Sequence, residues 1–281
     1  MDFISFLFPR IDPQRALCYA DSRNREILTM NWKIENDNTP PIITAEAHVR
    51  SAHGGKMQAL PETAVIFFMS GWEECLVSER GAEVLMEKLP RFLTGKPVYR
   101  LTDGVCFTDG GRGAPHAVDT VETLHALGVK TIVSVGMFGA FGEGFEVGDI
   151  AVPSKVFIEE GTSHHYAVEP QYSEPDNALS TALAGMLDAR QPQTVSTDAV
   201  YRQTFMKEAL WREKGAVGVD METSAVFTAA RFLGMSAAAV LIVSDKHPMD
   251  ETQPKWSWRI DRTMRMSFIE RVCTAVEELN N

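Results

Sequence analysis

Blocks of apolar and polar positions predict strands and helices in alternation along most of the chain. In the clearest block, residues 217–219 are apolar, residues 221–233 carry apolar side chains at helical spacing up to Gly234, and residues 237–243 are uniformly apolar. Helical spacing that stops at a glycine indicates a helix, and an unbroken apolar run is typical of a strand covered on both faces. The pattern therefore predicts a strand, a helix and a second, neighbouring parallel strand.

Three acidic residues stand at the ends of these predicted strands. Asp220 and Glu222 follow the first strand, and Asp245 follows the second. Open α/β sheets bind their ligands at the carboxyl ends of parallel strands. We therefore expect these three carboxylates at a ligand site rather than in the core.

A regular pattern begins only near residue 63. Residues 1–62 show none, and they include the polar, proline-bearing stretch 35–41, which is typical of a linker. We therefore predict an amino-terminal appendage over residues 1–62 and a single α/β domain over residues 63–281. Further strands are expected at 64–69, 98–107, 130–135, 147–157 and 195–199, and further helices at 73–89, 115–128, 177–190, 203–214 and 258–279.

Glycines follow three of the predicted strands. Gly71 follows the strand at 64–69, a glycine-rich segment covers 109–115, and Gly136 and Gly139 follow the strand at 130–135. Glycine lets a backbone approach a ligand closely, and it serves equally well in a tight turn. The spacing does not match the GxGxxG fingerprint of dinucleotide-binding folds.

Composition and charge exclude several classes of function. The chain has 281 residues, of which 44% are hydrophobic, and a formal net charge of -11. Nucleic-acid binding is not expected, because such a surface needs clustered lysine and arginine. No membrane association is expected either, because no apolar run approaches membrane-spanning length. An anionic substrate would need a local patch of positive charge.

The cysteines and histidines indicate neither disulfides nor a metal site. The four cysteines are scattered without a CxxC pair: Cys18, Cys75, Cys106 and Cys273. This usage is typical of reduced thiols, so we expect a cytoplasmic protein. His164 and His165 are adjacent, but no third ligand has suitable spacing, so no metal is expected.

Six segments together carry a family resemblance. They are 130–140 (KTIVSVGMFGA), 147–153 (VGDIAVP), 160–166 (EGTSHHY), 197–201 (TDAVY), 218–225 (GVDMETSA) and 243–245 (VSD). In this order they resemble the nucleoside phosphorylase superfamily, which holds purine nucleoside phosphorylases, uridine phosphorylases and nucleosidases. The resemblance covers residues 64–281.

The resemblance implies a fold and a reaction. The fold is a single α/β domain with a mixed, partly barrel-like central sheet flanked by helices. The reaction is cleavage of the bond between a sugar C1′ and a base nitrogen of a small-molecule nucleoside. No cofactor is implied, although phosphate is a candidate co-substrate. A homo-oligomer built from dimers is expected, in which Arg10, His48 and Arg50 of the appendage could reach a neighbouring site and Phe3, Phe6 and Phe8 would be buried.

Carried over position by position, the resemblance assigns roles to single residues. Glu222 would accept hydrogen bonds from the ribose hydroxyls, Met221 would pack against the sugar, and Asp245 would protonate the departing base. An acid at the tip of an apolar strand is partly desolvated, which favours its neutral, proton-donating form. Substrate binding is also assigned to Gly71, Arg112, Phe138, Gly139 and Tyr201.

Several of these residues have structural alternatives. Glu222 could be a first-turn acid that complements a helix dipole, and Asp245 could be a cap before the turn at Pro248. Tyr201 could fill the core, and Arg112 could be a solvated loop charge. The agreement of neighbouring segments with the family favours the functional interpretation of both acids.

Departures from the family pattern concern the acceptor of the sugar. Phosphorolytic members have an arginine, a hydroxyl residue and a second arginine where this chain has Ser134, Met137 and Cys75. The usual anion site is therefore depleted, unless Arg112, Arg10 or Arg50 replaces it. The departures favour a water acceptor over phosphate.

Water as the acceptor needs a general base. The segment SGWEEC resembles the start of the nucleosidase branch, and it makes Glu74 the candidate base. We therefore predict hydrolysis, with phosphorolysis as the alternative and a non-catalytic nucleoside-binding relative as a lesser one. A purine-type base is expected, because Thr204 and Met206 stand where uridine-specific relatives carry amide and guanidinium groups.

Overall fold

A computed structural model of the chain describes residues 39–52, 58–141, 144–167 and 170–280. The described residues from Pro41 onward form one compact unit. The expectations for Phe3, Phe6, Phe8 and Arg10 lie outside the described residues, and the division at residue 62 stays a prediction. None of the described helices combines the length and the apolar character that crossing a bilayer requires.

The described residues form one mixed sheet of eleven strands with helices around it. The strands are β1 (Thr63–Phe67), β2 (Glu83–Met86), β3 (Val98–Thr102), β4 (Val105–Asp109), β5 (Thr131–Ala140), β6 (Ile150–Ala151), β7 (Lys155–Glu159), β8 (Tyr172–Ser173), β9 (Gln193–Thr197), β10 (Ala216–Asp220) and β11 (Ser236–Lys246). The helices are α1 (Ala45–Ala52), α2 (Trp72–Glu74), α3 (Ala114–Ala126), α4 (Asn177–Leu187), α5 (Phe205–Glu213), α6 (Thr223–Phe232) and α7 (Arg262–Leu279). A π-helical turn, Cys75–Glu79, continues α2, and 3₁₀ turns lie at Thr162–His165 and Val200–Arg202.

Strand β5 is the branch point of the sheet. The main strand order is β2-β3-β4-β1-β5-β10-β9-β7-β8, and β11 pairs with β5 and β6 outside this path. β5 runs parallel to β1 and β11 and antiparallel to the end of β10. A strand with three partners makes the sheet branch at β5. The mixture of parallel and antiparallel pairs agrees with the mixed α/β fold that the sequence predicts.

The prediction of neighbouring parallel strands around α6 is wrong. β10 and β11 both pair with β5, one antiparallel and one parallel, so β5 lies between them. Hydrophobic pattern identifies each strand but carries no information about its partner. The predicted helix at 73–89 is confirmed only as far as Glu79, because the turn at Gly81, whose φ is 71°, ends it and β2 follows.

Two apolar layers bury the central strands. One face of β1, β5 and β11 packs against α4 and α7 through residues such as Phe67, Leu183 and Phe268, and the other face packs against α3 and α6. Burial on both faces explains the unbroken apolar runs at 64–69 and 237–243. Helix α1, inside the predicted appendage, buries Val49, and His48 packs on Phe92 of its own chain at 5.4 Å between ring centroids.

A substitution at Gly218 in β10 tests how tightly the strands around β5 are packed. A Cβ at Gly218 would lie 2.3 Å from the ring of Phe138 and 2.8 Å from the carbonyl oxygen of Gly139. We expect Gly218→Ala to lower the free energy of unfolding by about 1 to 3 kcal/mol, because overpacking forces the ring and backbone to move. Denaturant unfolding measures this change.

The matched control is Gly185→Ala on α4, where a Cβ would have no neighbour within 4 Å. Alanine in a helix interior is about 0.5 to 1 kcal/mol more favourable than glycine, so this variant should be slightly stabilised. Equal stability changes in the two variants would contradict the packing argument.

Candidate active site

A cavity of about 730 Å³ opens where β5, β10 and β11 end. Its walls carry acidic, aromatic and small residues, and Arg112 is the only arginine or lysine among its described lining residues. The lining includes the sequence-predicted Arg112, Phe138, Gly139, Tyr201, Met221, Glu222 and Asp245. Most of the predicted substrate-binding residues therefore lie together.

The register of the strands brings the two principal acids to this cavity. Gly139 on β5 is paired with Val219 on β10 and with Asp245 on β11. Glu222 comes three residues after Val219, at the beginning of α6. The two strands that lead to these acids therefore both pair with the same glycine, although they are not neighbours of each other.

Asp220 organises the end of β10. Its side chain is buried and accepts hydrogen bonds from the hydroxyls of Ser196 and Thr223. The Ser196 hydroxyl also accepts a bond from the Ser224 amide at 2.9 Å. Burial raises the pKa of Asp220 to about 6, although these hydrogen bonds oppose the shift. Asp220 thus joins β9, β10 and α6 at the wall of the cavity.

Glu222 is held by the glycine-rich loop after β4. Its Oε1 accepts a hydrogen bond of 2.7 Å from the Gly113 amide. Burial, and then the charge of Asp220, raise the pKa of Glu222 to about 7, while the Gly113 amide and Arg112 act in the opposite direction. This carboxylate can accept hydrogen bonds from sugar hydroxyls, and Met221 beside it contributes apolar surface.

Asp245 does not have the neutral form that we predicted. Burial acts to raise its pKa, but hydrogen bonds from His247, Ser244 and Trp256 together outweigh burial and hold the pKa below the usual value. The Nε2 atom of His247 lies 3.2 Å from Oδ2, and the Trp256 indole nitrogen also donates to Oδ2. The prediction counted desolvation and missed donors that arrive from the following loop.

His247 and Glu208 are functional candidates that the sequence interpretation missed. His247 Nδ1 lies 2.6 Å from Glu208 Oε1, and both residues line the cavity. Burial acts to lower the pKa of His247, but the carboxylates of Asp245 and Glu208 raise it to about 9. The position of His247 two residues after Asp245 was a signal available in the sequence, whereas nothing in the pattern of α5 distinguished Glu208.

Aromatic side chains line part of the cavity. Tyr201 is 94% exposed, so the alternative that it fills the core is wrong. Trp256 and Trp258 are about half exposed, and Phe138 is buried in the wall. Exposed aromatic faces in a cavity are suited to stacking with a planar base.

Arg112 and Gly71 occupy different positions relative to the cavity. Arg112 is half exposed at its edge, where its guanidinium donates to the Gly111 carbonyl and lies 3.5 Å from Asp109. Gly71 has a φ of 96° and lies outside the lining residues. Its neighbour Ser70 accepts a hydrogen bond of 2.7 Å from Arg265 on α7. The assignment of Gly71 to substrate binding therefore has no support from its placement.

The structure does not place Glu74 at the cavity. Its carboxylate is half exposed, forms an ion pair with Arg262, and lies outside the lining residues. The bonded guanidinium of Arg262 lowers the pKa of Glu74. The short helix at Gly71 directs the Glu74 side chain toward α7, so this placement gives no support to Glu74 as a water-activating base, and that role stays a prediction.

The positions where phosphorolytic relatives carry anion-binding groups are apolar or enclosed. Ser134 is 1% exposed inside β5, its hydroxyl has no hydrogen-bond partner, and Cys75 is fully buried. Met137 lines the cavity. Arg50 is exposed on α1 and does not line the cavity. Within the described residues, no group of three or more His, Cys, Asp or Glu side chains is arranged to hold a metal ion.

Comparisons with known proteins relate this chain to one family. The family model described as the phosphorylase superfamily matches residues 75–276. A guanosine phosphorylase of Halorubrum lacusprofundi is 33% identical over 144 residues, which cover 50% of this chain and 59% of the relative. A uridine phosphorylase of Haemophilus influenzae is 29% identical over 170 residues, covering 53% and 64%. The chain thus spans less than two thirds of the length of these curated relatives.

A solved structure supports the fold over a longer range. The crystal structure of an AMP nucleosidase from Bacteroides thetaiotaomicron superposes with a TM-score of 0.65 and 18% identity, covering 84% of this chain and 96% of that one. At this identity the likeness concerns the fold alone.

The raised pKa of Glu222 predicts how the free energy of unfolding depends on pH. Its pKa of about 7 lies above the ordinary value of 4.5 for a glutamate, so the folded state retains a proton between these values and stability falls as pH rises through that window. Because one pKa unit corresponds to about 1.4 kcal/mol, Glu222→Gln should gain roughly 1 to 3 kcal/mol at pH 8 relative to wild type and little at pH 5. Denaturant unfolding at both pH values measures the difference.

The control is Glu278→Gln, which removes an exposed carboxylate near the end of α7. This variant should change stability little and equally at the two pH values. A Glu222→Gln effect that is the same at pH 5 and pH 8 would contradict the raised pKa.

Proposed function

The chain belongs to the phosphorylase superfamily, and from this membership and the cavity we propose that it cleaves the bond between C1′ of a sugar and a nitrogen of a purine-type base. The observation that carries the proposal is the placement of Glu222 and Asp245 on one cavity, at the ends of the two strands that pair with Gly139. One carboxylate can hold the sugar while the other serves the leaving base.

The reaction needs both groups at once. As the C1′–N bond breaks, its electron pair moves to the base and positive charge develops on the sugar. Glu222, bonded to the Gly113 amide, accepts hydrogen bonds from sugar hydroxyls and its negative charge favours the developing cation. Asp245 faces the base and donates the proton that neutralises it.

A purine-type base is proposed from the residues around Asp245. Asp245 is buried and hydrogen-bonded, as a group aimed at one ring nitrogen should be. Thr204 caps α5 at the cavity wall and accepts from the Lys207 amide, while Met206 is 84% exposed. Neither residue supplies the amide and guanidinium groups that would recognise a uracil edge.

Phosphate is the acceptor that the geometry favours. The preference for water rested on Glu74, and that residue lies outside the cavity lining. Arg112 lies at the cavity edge and its guanidinium is half exposed, so it can reach an anion next to the sugar. The two curated relatives described above are also named phosphorylases. We therefore propose phosphorolysis that yields a free base and a sugar 1-phosphate.

Hydrolysis is the second candidate. It is favoured by the interior of the site, where Ser134, Met137 and Cys75 supply no positive charge. A single guanidinium must then compensate one to two negative charges on phosphate, which is a weak arrangement for a partly closed site.

A nucleoside panel tests the bond, the base and the acceptor together. Adenosine, inosine, guanosine, 5′-substituted purine nucleosides and uridine are incubated with and without phosphate, and free base and sugar products are measured. We expect purine nucleosides to be cleaved faster than uridine, with strict phosphate dependence and release of sugar 1-phosphate. Equal turnover without phosphate would establish hydrolysis, and faster cleavage of uridine would refute the purine assignment.

Arg112→Ala tests the proposed phosphate ligand. A charge-assisted hydrogen bond is worth about 1.5 to 3 kcal/mol, so the KM for phosphate should rise roughly ten- to hundredfold while the KM for the nucleoside changes less. The control is Arg100→Ala on β3, another arginine paired with carboxylates on a loop-bounded strand. An unchanged KM for phosphate in Arg112→Ala would exclude this residue as the ligand.

A further inference from the structure

We propose that His247 is a positioning residue that stores the proton which Asp245 delivers to the leaving base, and that Glu208 holds this imidazole in place. The inference rests on the proposed cleavage reaction and assigns functions to two residues beyond it. It is motivated by an unbroken series of contacts from Glu208 Oε1 to His247 Nδ1, 2.6 Å, and from His247 Nε2 to Asp245 Oδ2, 3.2 Å.

The fold makes room for this series of contacts. A Cβ at Gly139 would lie 2.4 Å from His247 Nε2 and 3.2 Å from Asp245 Oδ2, so a side chain on this residue of β5 would displace both groups. The backbone amide of His247 donates to the Ala140 carbonyl at 2.8 Å, which fixes the residue beside the strand. Gly139 therefore permits the imidazole and the carboxylate to meet against the sheet.

The groups facing His247 favour its protonated form. Glu208 on α5 and Asp245 on β11 each face one ring nitrogen, and Glu208 and Asp245 are both buried. The β5 side contributes Gly139 and Phe141, which carry no charge. The cation Arg212 lies on the far side of Glu208, with Nη1 4.0 Å from Glu208 Oε2. Two carboxylates around one imidazole hold a proton on each ring nitrogen.

This arrangement resolves a difficulty in the reaction. An Asp245 that is ionised in the free protein has no proton of its own to donate to the base. In the proposed step the His247 Nε2–H bond breaks as an O–H bond forms on Asp245. The carboxyl proton then passes to the base nitrogen as the C1′–N bond breaks and its electron pair moves to the base. His247 is left neutral and regains a proton from solvent, which reaches its partly exposed ring.

The arrangement of hydrogen bonds on Asp245 is compatible with this transfer. Oδ2 accepts from His247 and Trp256, whereas Oδ1 accepts from the Ser244 hydroxyl. A carboxylate oxygen has two lone-pair positions, so Oδ1 can take one further partner. The base nitrogen approaches from the Oδ1 side, and rotation of the protonated carboxyl about its Cβ–Cγ bond then turns the new O–H from the imidazole toward the base.

The test compares two nucleosides that differ in their need for a proton. Guanosine needs protonation of its base, whereas 7-methylguanosine already carries a fixed positive charge on the ring and leaves as a neutral base. We expect His247→Gln to lose about a hundredfold in kcat on guanosine, and to stay within about threefold of wild type on 7-methylguanosine. His165→Gln, an exposed histidine on a 3₁₀ turn, is the control.

A pH profile separates proton storage from a structural role. On guanosine, wild-type kcat should fall as pH rises through about 9, where His247 loses its proton. Glu208→Gln keeps an acceptor for Nδ1 but removes one negative charge, so the fall should begin at lower pH and should be absent on 7-methylguanosine. If His247→Gln fails to fold, the pH profile of Glu208→Gln tests the proposal in its place.

The outcomes distinguish the two levels of inference. Equal losses on both nucleosides in His247→Gln, or an unshifted alkaline limb in Glu208→Gln, would overturn the assignment of His247. If the wild-type protein cleaves neither nucleoside under any acceptor condition, the proposed reaction itself fails.

Discussion

The close approach of three strands at Gly139 is the constraint on which the rest of the cavity depends. β5 pairs with β10 and β11 at this residue, and a Cβ here would displace His247 and Asp245. Gly218 on β10 has no Cβ, and this leaves space for the ring of Phe138 in the same region. Two positions without side chains thus permit an acid, an imidazole and an aromatic wall to share a small volume. The helices and the outer strands hold this junction, and they contribute few reacting groups.

Charge is the second constraint, and it follows from the first. Four carboxylates, Asp220, Glu222, Glu208 and Asp245, line one cavity together with Arg112 and His247. The burial of so many acids is costly unless they are protonated or paired. The structure uses both solutions. The pKa of Asp220 and of Glu222 is raised to about 6 and 7, while Asp245 and Glu208 remain paired through His247.

The sequence predicted the elements better than their partners. Apolar runs and glycine stops located β11, α6 and α7 to within a few residues, because burial imposes these patterns on the chain itself. The order of β10, β5 and β11 depends on pairing between distant segments, which the pattern does not record. The same limit applies to the site. Glu222 and Asp245 both line the cavity, as their segments predicted, whereas Glu74 lies outside the lining because the direction of a side chain on a short helix is set by a neighbouring helix.

The pairing of charges also bears on the acceptor. If phosphate enters the cavity beside Arg112, it brings negative charge close to Glu222, whose pKa of about 7 already reflects burial and the charge of Asp220. A further anion favours the protonated carboxyl, so phosphate binding and proton uptake are linked. A neutral Glu222 interacts less strongly with the cationic sugar in the transition state. Water brings no such charge, but it leaves the cavity without an assigned base. The acceptor therefore depends on whether the positive charge of Arg112 stabilises bound phosphate more than the negative charge of Glu222 destabilises it. This difference is set by the charges at the edge of the cavity and not by the strand junction around Gly139.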